Sequence, residues 1–297
     1  MADDLELEHD HPNASLCVTC GWEDVLDGLE GRSSSKVAGH ATGFHDLDTL
    51  TNGLMPGTLT VLASRPSIGR TTLLCDIIRR TAIKDGTPVA VFTLEETRRD
   101  FLSRVLAAEA RVALFHMASG TMSEEDWARL ARRMGPVAEA PLHVRAPARM
   151  TLADLAEQAA ADVTERGVRL IALDGIQDVK PDKRSDLRER EVGDIVRGLK
   201  TLARELDIAV LATSHLNRGP EQRPGRRPRL DDLRESGAVT YAADTIVLIH
   251  REDAYERESP RAGEADLIVA KHRHGPEAIL TVAFQGHYGR FVDLAPS

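Results

Sequence analysis

Residues 64–72 read S-R-P-S-I-G-R-T-T, and this short loop decides the fold. It follows a β-prone stretch, Gly57–Ala63, and it precedes Thr71–Ala82, whose apolar residues recur at helical spacing. A strand, a loop and a helix in this order place backbone N–H groups at a helix N-terminus, where they bind phosphate. The nine residues alone also fit an ordinary strand-to-helix turn, so the rest of the chain decides between the two.

The loop departs at two positions from the phosphate-binding loop (P-loop) pattern, G-x-x-x-x-G-K-[ST]. Ser64 stands where the first glycine is expected and Arg70 where the lysine is expected, whereas Gly69 and Thr71 fit. A guanidinium is a broad planar fork, so Arg70 keeps the positive charge but does not fit the narrow position of an ammonium between phosphate oxygens. We expect nucleotide binding to be partly retained and hydrolysis to be slowed, tenfold for each ~1.4 kcal/mol of lost transition-state stabilisation.

Composition limits the class of protein. A chain of 297 residues suits either one large α/β domain with a small appendage or two small domains. Its three cysteines, Cys17, Cys20 and Cys75, do not make a disulfide scaffold and favour a reducing cytoplasm. No apolar run is long enough to span a membrane, and the acidic N-terminus resembles neither a secretory signal nor a transit peptide.

The net charge of −9 is concentrated in one segment. Residues 1–31 hold nine acidic residues and no lysine or arginine, so the rest of the chain is neutral. A neutral domain can still bind nucleic acid where its basic residues cluster. The acidic segment is either simply solvated or keeps such a basic patch from non-specific contacts.

Residues 1–40 are predicted to be an acidic tail, and residues 41–297 a single α/β domain. Within the tail, Trp22–Leu29 has the apolar spacing of a short amphipathic helix, and residues 31–36 read as a linker. The tail also holds four metal-ligand side chains: His9, His11, Cys17 and Cys20. They form either one zinc knuckle or an incidental cluster in a disordered tail.

From about Thr42 the chain alternates strands and helices, which predicts a mostly parallel sheet flanked by helices, with antiparallel edge strands near the C-terminus. The predicted strands are Leu59–Ala63, Pro88–Thr93, Leu142–Arg145, Leu170–Leu173, Ala209–Ser214, Thr245–Ile249, Asp266–Lys271 and Ala278–Phe284. The predicted helices are Thr71–Lys84, Arg98–Ala110, Ser123–Ala138, Thr151–Arg166 and Arg188–Leu206.

Polar residues follow several of the predicted strands. Asp174 ends an apolar strand, where a carboxylate beside a P-loop holds Mg²⁺, although such an aspartate also ends ordinary turns. Glu95 and Glu96 follow another strand, where a carboxylate either orients a water toward a terminal phosphate or interacts with a helix dipole. His215 comes just after a third strand and is placed to sense that phosphate by hydrogen bonding.

A loop rich in proline and arginine follows His215. Its arginines are Arg218, Arg223, Arg226, Arg227 and Arg229. Such a loop does not pack as core; it is either solvated or follows a phosphate backbone.

An ordered series of motifs extends over roughly Thr42–Leu294. It comprises Thr42–Leu54, Arg65–Ser67, Phe92–Glu95, Leu173–Asp174 with Gln177, Thr213–Leu216, Asp232–Gly237 (D-L-R-E-S-G), Ala243–Asp244 and Ala270–Pro276 (A-K-H-R-H-G-P). The series resembles the C-terminal ATPase domain of DnaB-type replicative DNA helicases, a RecA-like P-loop fold that works as a hexameric ring on single-stranded DNA. RadA-like and KaiC-like proteins share parts of the pattern.

The resemblance implies a role for each matching residue. The loop Ser64, Arg65, Pro66, Ser67, Ile68, Gly69, Arg70, Thr71 and Thr72 would bind ATP together with Asp174 and Gln177, and Thr71 and Asp174 would hold Mg²⁺. Glu95 matches the catalytic glutamate, and His215 lies where the family usually has a glutamine that senses phosphate. Arg234, Glu235, Ser236 and Gly237 match the loop that holds DNA, to which the arginine-rich loop adds Arg226 and Arg227. Lys271 and Arg273 match the basic pair that reaches a neighbouring subunit's site.

The resemblance does not include the family's N-terminal collar domain. The helix Trp22–Leu29 stands where a linker helix packs on the adjacent subunit, so we expect ring formation to be less secure and primase or loader contacts to be in doubt. Two function classes stay open: an ATP-driven helicase or translocase, and a nucleotide- and DNA-binding regulator with little or no hydrolysis. A RecA-like recombination or clock-type ATPase is a third reading, which the motifs at Asp232–Gly237 and Ala270–Pro276 disfavour.

Overall fold

The computed structural model describes residues 37–182, 185–233, 236–256 and 258–294. Residues Gly39–Ser297 form one compact unit. The predicted helix Trp22–Leu29, the four Cys and His residues of the tail, and Arg234 and Glu235 lie outside the described residues. The predictions made for them stay predictions.

One nine-stranded sheet organises the compact unit. Its strands are β1 Leu59–Ser64, β2 Val89–Thr93, β3 Leu142–Arg145, β4 Leu170–Asp174, β5 Ala209–His215, β6 Thr245–His250, β7 Glu264–His272, β8 Ala278–Gln285 and β9 Arg290–Asp293. They lie in the order β3-β2-β4-β5-β1-β6-β7-β8-β9. The first six in this order pair in parallel and the last four pair antiparallel, which confirms the predicted sheet.

Helices cover both faces of the sheet. They are α1 His45–Thr51, α2 Arg70–Ile78, α3 Arg98–Ala110, α4 Leu114–Ser119, α5 Glu124–Glu139, α6 Leu152–Arg166, α7 Arg188–Glu205 and α8 Ser236–Ala242. Thr97, Ser123 and Thr151 cap α3, α5 and α6, because each side chain accepts a hydrogen bond from a first-turn N–H group. Within the described ranges, no helix combines the length and apolarity needed to cross a bilayer.

The sheet separates two apolar layers, because successive strand residues point to opposite faces. Val61 and Ala63 contribute to the layer that contains Val192 and other residues of α7. Leu62, which lies between them, contributes to the layer that contains residues of α2. Central strands such as β1 and β4 are buried along their whole length, as expected of parallel strands covered on both faces.

Parallel pairing brings the polar strand ends to one edge. Ser64 at the end of β1 lies beside His215 at the end of β5, and Thr93 at the end of β2 lies beside Asp174 at the end of β4. The loops that follow these strands therefore meet, as they do in other open α/β sheets.

The basic pair Lys271 and Arg273 lies at the opposite edge. Strands β1 and β6 run in parallel with Thr60 beside Thr245, and the antiparallel strand β7 places His272 beside the same Thr245. The end of β7 is therefore level with the start of β1, with β6 between the two strands, whereas the P-loop follows the end of β1. At about 3.3 Å for each strand residue, most of β1 separates them.

Several elements differ from the sequence prediction. The helices α1, α4 and α8 and the strand β9, each of seven residues or fewer, were not predicted. So few residues hold too little periodicity to be recognised. The predicted helix Thr71–Lys84 is confirmed as helical throughout, but it changes type: α2 ends at Ile78, and Arg79–Lys84 continue as a π-helix.

Candidate functional site

The loop between β1 and α2 is the first part of the site. Its backbone turns through left-handed conformations at Ser67 (φ 66°) and Gly69 (φ 119°), and α2 begins at Arg70. A β-carbon on Gly69 would lie 2.8 Å from Phe291 Cζ, so glycine is needed there for space as well as for conformation. The predicted order of strand, loop and helix is confirmed.

Thr71 and Asp174 meet beneath the loop, as sequence reasoning required. Thr71 Oγ1 donates to Asp174 Oδ2 at 3.0 Å, and Thr213 Oγ1 donates to Asp174 Oδ1 at 2.7 Å. The carboxyl group is fully buried, and this burial raises its pKa. A hydroxyl and a carboxylate side by side are oxygen ligands that suit Mg²⁺.

Arg70 does not point into solvent. Its side chain is only 7% exposed, and its Nη2 forms an ion pair with Glu95 Oε1. Its Nη1 donates to His215 Nδ1 at 2.9 Å and, more weakly, to the carbonyl oxygen of Ser214 at 3.4 Å. The arginine at the lysine position thus joins the ends of β2 and β5.

Glu95 and His215 also contact each other, with His215 Nε2 3.2 Å from Glu95 Oε1. The hydrogen bond from His215 lowers the pKa of Glu95, and the charge of Arg70 lowers it further, against the opposing effect of burial. Glu95 is therefore a carboxylate at neutral pH. The neighbouring Glu96 turns away and pairs with Arg104 at 2.9 Å, so the two glutamates occupy different environments.

Gln177 and Arg65 fasten the loops around this group. Gln177 Nε2 donates to Ser214 Oγ at 2.9 Å, and its Oε1 accepts from the backbone N–H of His215 at 3.3 Å. Arg65 donates to the carbonyl oxygen of Leu216 at 2.8 Å and pairs with Glu221 at 2.6 Å. Both residues therefore position the segment that follows β5.

Lys271 and Arg273 are held by their own chain at the opposite edge. Lys271 Nζ donates to the carbonyl oxygens of Thr240 and Ala243, at 2.6 Å each, and to that of Tyr241 at 3.2 Å. Arg273 Nε lies 3.1 Å from Asp244 Oδ1. The structure therefore does not bring this pair to the P-loop of the same chain.

The residues expected to contact DNA are distributed over two places. Arg227 Nη2 pairs with the buried Asp266 at 2.6 Å, and the guanidinium of Arg226 lies 5.0 Å from the centre of the Tyr255 ring. Gly237 lies in α8 and borders an open cleft of about 850 Å³, which is also lined by Arg197, Lys200, Arg204, Lys271 and Arg273. Ser236 begins α8.

Sequence reasoning missed three contributors to these sites. Thr213 binds Asp174, and Asp244 binds Arg273. Asp178 places a buried Oδ2, which has no hydrogen-bond partner among the described residues, close to Glu95. Thr213 and Asp244 lie inside the quoted motifs but carried no role there. Their signal was membership of these motifs, Thr213 two residues before His215 and Asp244 directly before β6.

Comparisons with known proteins identify the family to which the chain belongs. Residues 39–293 match the family model described as the DnaB-like helicase C-terminal domain. A replicative DNA helicase DnaB from Leifsonia xyli subsp. xyli is 46% identical over 92% of this chain, which spans 60% of that relative's length.

Two solved structures are also similar to the chain. One is the structure of a DnaB-like replicative helicase and its interactions with primase. It has a TM-score of 0.85 at 30% identity, and the match covers 93% of this chain and 66% of the other chain. The other, a solved ATPase domain, has a TM-score of 0.86 at 29% identity and covers 96% of this chain and all of its own. With a family match that spans nearly the whole described sheet, the chain belongs to the DnaB-like helicase C-terminal domain family.

Proposed function

We propose that this chain is an ATP-dependent helicase or translocase motor that acts on single-stranded DNA as a ring of identical copies. The observation that carries the proposal is the separation of the P-loop from Lys271 and Arg273 by the length of β1. The basic pair can meet a P-loop only on another copy. A head-to-tail contact of this kind repeats from copy to copy and closes into a ring when the rotation between neighbouring copies adds up to a full turn. We take the ring to have six copies.

The nucleotide half of the site is complete within one chain. The N–H groups of the P-loop and the start of α2 are arranged to receive phosphates. Thr71 and Asp174 would hold Mg²⁺, which supplies positive charge to neutralise the phosphate oxygens when it is bound. Glu95 is the carboxylate placed to orient an attacking water, and Arg273 of another copy would stabilise the charge that develops on the transferred phosphoryl group.

The DNA half of the function is assigned to the segment Asp232–Gly237. Gly237, in the first turn of α8, borders a cleft that Arg197 and Arg204 also line, and a phosphate backbone requires such basic side chains. Arg227 is held by Asp266, which Arg261 also contacts, so we assign it a weaker share of DNA binding than Arg226. The relative described with primase suggests replication proteins as further partners of this chain in the cytoplasm.

Steady-state ATP hydrolysis, with and without single-stranded DNA, tests the proposal. Wild type is compared with Glu95→Gln, and with Glu96→Gln as the matched control because Glu96 pairs with Arg104 instead. We expect DNA-stimulated turnover that Glu95→Gln abolishes and Glu96→Gln preserves. Turnover that Glu95→Gln leaves intact would contradict the assigned role of Glu95.

The second candidate is a regulator that binds nucleotide and DNA and hydrolyses little. One observation favours it: Arg70 pairs with one oxygen of the Glu95 carboxylate that a motor needs. No turnover in wild type, together with turnover in Arg70→Lys, would support this reading over the motor.

A further inference from the structure

Arg70, Glu95 and His215 form a closed ring of three contacts, here called the clasp. One guanidinium nitrogen of Arg70 pairs with Glu95, the other donates to His215 Nδ1 at 2.9 Å, and His215 Nε2 lies 3.2 Å from Glu95 Oε1. Two nitrogens in one plane are required to reach both partners at once. A lysine has one nitrogen and cannot close the ring in this way.

The arginine fixes the proton on the histidine. A guanidinium only donates hydrogen bonds, so His215 Nδ1, which lies 2.9 Å from Arg70 Nη1, accepts, and a neutral imidazole then carries its proton on Nε2. Arg70 Nη2 also lies 3.4 Å from Nε2, but this contact is longer than the one at Nδ1, and Nε2 lies closer to Glu95 Oε1, at 3.2 Å. That N–H group faces Glu95 Oε1, the same oxygen that Arg70 engages. Oε1 is therefore held by two donors of its own chain, which leaves only Oε2 of the same carboxylate to accept from an attacking water.

The same group could be taken for a metal site, because ligand atoms of Glu95, Asp178 and His215 lie within 4.8 Å of one another. The buried Oδ2 of Asp178, without a partner in the described ranges, would add to that impression. However, a cation bound to His215 Nε2 needs the opposite tautomer, with a proton on Nδ1 that would oppose Arg70. The guanidinium also already supplies positive charge to Glu95. The hydrogen-bond pattern thus favours the clasp over a metal.

We propose that the clasp is an autoinhibitory contact that only the terminal phosphate of a bound nucleoside triphosphate releases. The proposal rests on the proposed function and adds a control to the same site. A phosphate and a carboxylate compete for one guanidinium, since each takes its paired donors. Arg70 belongs to the P-loop, and its guanidinium is held by Glu95, which follows β2, and by His215, which ends β5. In this proposal the N–H groups of the loop hold the inner phosphates of either nucleotide, and only a terminal phosphate displaces the guanidinium. A diphosphate would then leave Glu95 engaged, and a triphosphate would free Glu95 and His215 together.

Binding of a non-hydrolysable triphosphate analogue and of ADP, measured by calorimetry, tests this without any need for turnover. Releasing the clasp costs binding energy. Glu95→Gln should therefore raise the affinity for the triphosphate analogue by about tenfold, within the usual range of coupling between sites. ADP affinity should not change, and Glu96→Gln should change neither. In an Arg70→Lys background, Glu95→Gln should give a gain several-fold smaller.

The proposal would be overturned if Glu95→Gln raised the affinity for the analogue and for ADP equally, or raised the affinity for the analogue equally with Arg70 and with Lys at position 70. A second readout needs no nucleotide: ¹⁵N NMR of labelled histidines, with His215→Gln for assignment, should show the Nε2–H tautomer. The Nδ1–H tautomer would overturn the clasp even if the chain proved to be a fast motor. Absent hydrolysis with the expected binding pattern would instead contradict the motor and leave the clasp intact.

Discussion

Asp244 and Arg273 are joined by a contact of 3.1 Å between Oδ1 and Nε. The other oxygen of Asp244 accepts from the backbone N–H of Leu59 at 2.8 Å and pairs with Lys200 at 2.6 Å. A carboxylate that is only 4% exposed thus ties together the start of β1, the helix α7 and the end of β7. The arginine assigned to another copy's nucleotide is anchored by a buried anion in its own chain.

Asp244→Ala should lower the free energy of unfolding by about 2–4 kcal/mol, because the backbone N–H of Leu59 and the ammonium of Lys200 lose a buried partner. Asp244→Asn keeps one acceptor for Leu59 and should lose less. Urea denaturation measures both. An alanine variant as stable as wild type would contradict the anchoring role.

Mixing two inactive variants should restore ATP hydrolysis. Glu95→Gln disables one edge of each copy and Arg273→Ala disables the other, so an interface between intact edges exists only in mixed rings. For random head-to-tail assembly of equal amounts, about a quarter of the interfaces should be intact. Turnover of the mixture no higher than that of either variant alone would show that each copy hydrolyses by itself.

Asp174→Asn should remove the Mg²⁺-dependent part of nucleotide binding, by about tenfold or more, because a carboxylate ligand is lost. Affinity measured in EDTA should be unchanged, and Asp194→Asn on the exposed face of α7 is the control. Burial raises the pKa of Asp174, so a proton competes with the metal at low pH. In wild type, the gain from Mg²⁺ should therefore grow as pH rises. A gain that did not depend on pH would contradict this competition.

Asp76 should make stability fall as pH rises. Burial raises its pKa to about 7, against the charge of Arg79, which is shared with Glu109. Between about pH 4 and 7 the folded protein holds a proton that the unfolded chain has released, so this contribution is full below that range and is lost through it. Asp76→Asn has no such proton and keeps an acceptor for the N–H of Phe291.

Urea denaturation of wild type and Asp76→Asn across this range isolates the effect of that proton. As pH rises, wild type should lose up to about 1.4 kcal/mol of unfolding free energy per pH unit relative to Asp76→Asn. A difference that stayed constant from pH 5 to 8 would show that Asp76 is ionised throughout in the folded protein.

The sheet was predictable from sequence and the clasp was not, for physical reasons. Strands such as Leu170–Asp174 are continuous apolar runs that end in a polar residue, so both the strand and the edge that carries Asp174 can be read along the chain. The partners of Arg70 lie 25 and 145 residues away. An arginine in place of a lysine has a broader side chain. The groups that it contacts depend on the parallel register of β2 and β5 with their neighbouring strands, which the sequence alone does not show.

The last strand was missed for a different reason. In β9, two apolar residues stand between Arg290 and Asp293, and so short a stretch has no recognisable alternation. Its partner β8 was recognised because eight residues carry the pattern. The consequences of β9 appear only in three dimensions, where Phe291 touches the P-loop glycine.

That contact imposes an order on biosynthesis. Phe291 packs against Gly69, and its N–H donates at 2.6 Å to Asp76 in α2, 215 residues earlier in the chain. While the ribosome is still making the intervening segment, the loop and the helix behind it lack their final support. We therefore expect the nucleotide site of a nascent polypeptide to reach its final geometry only after β9 has left the ribosomal exit tunnel.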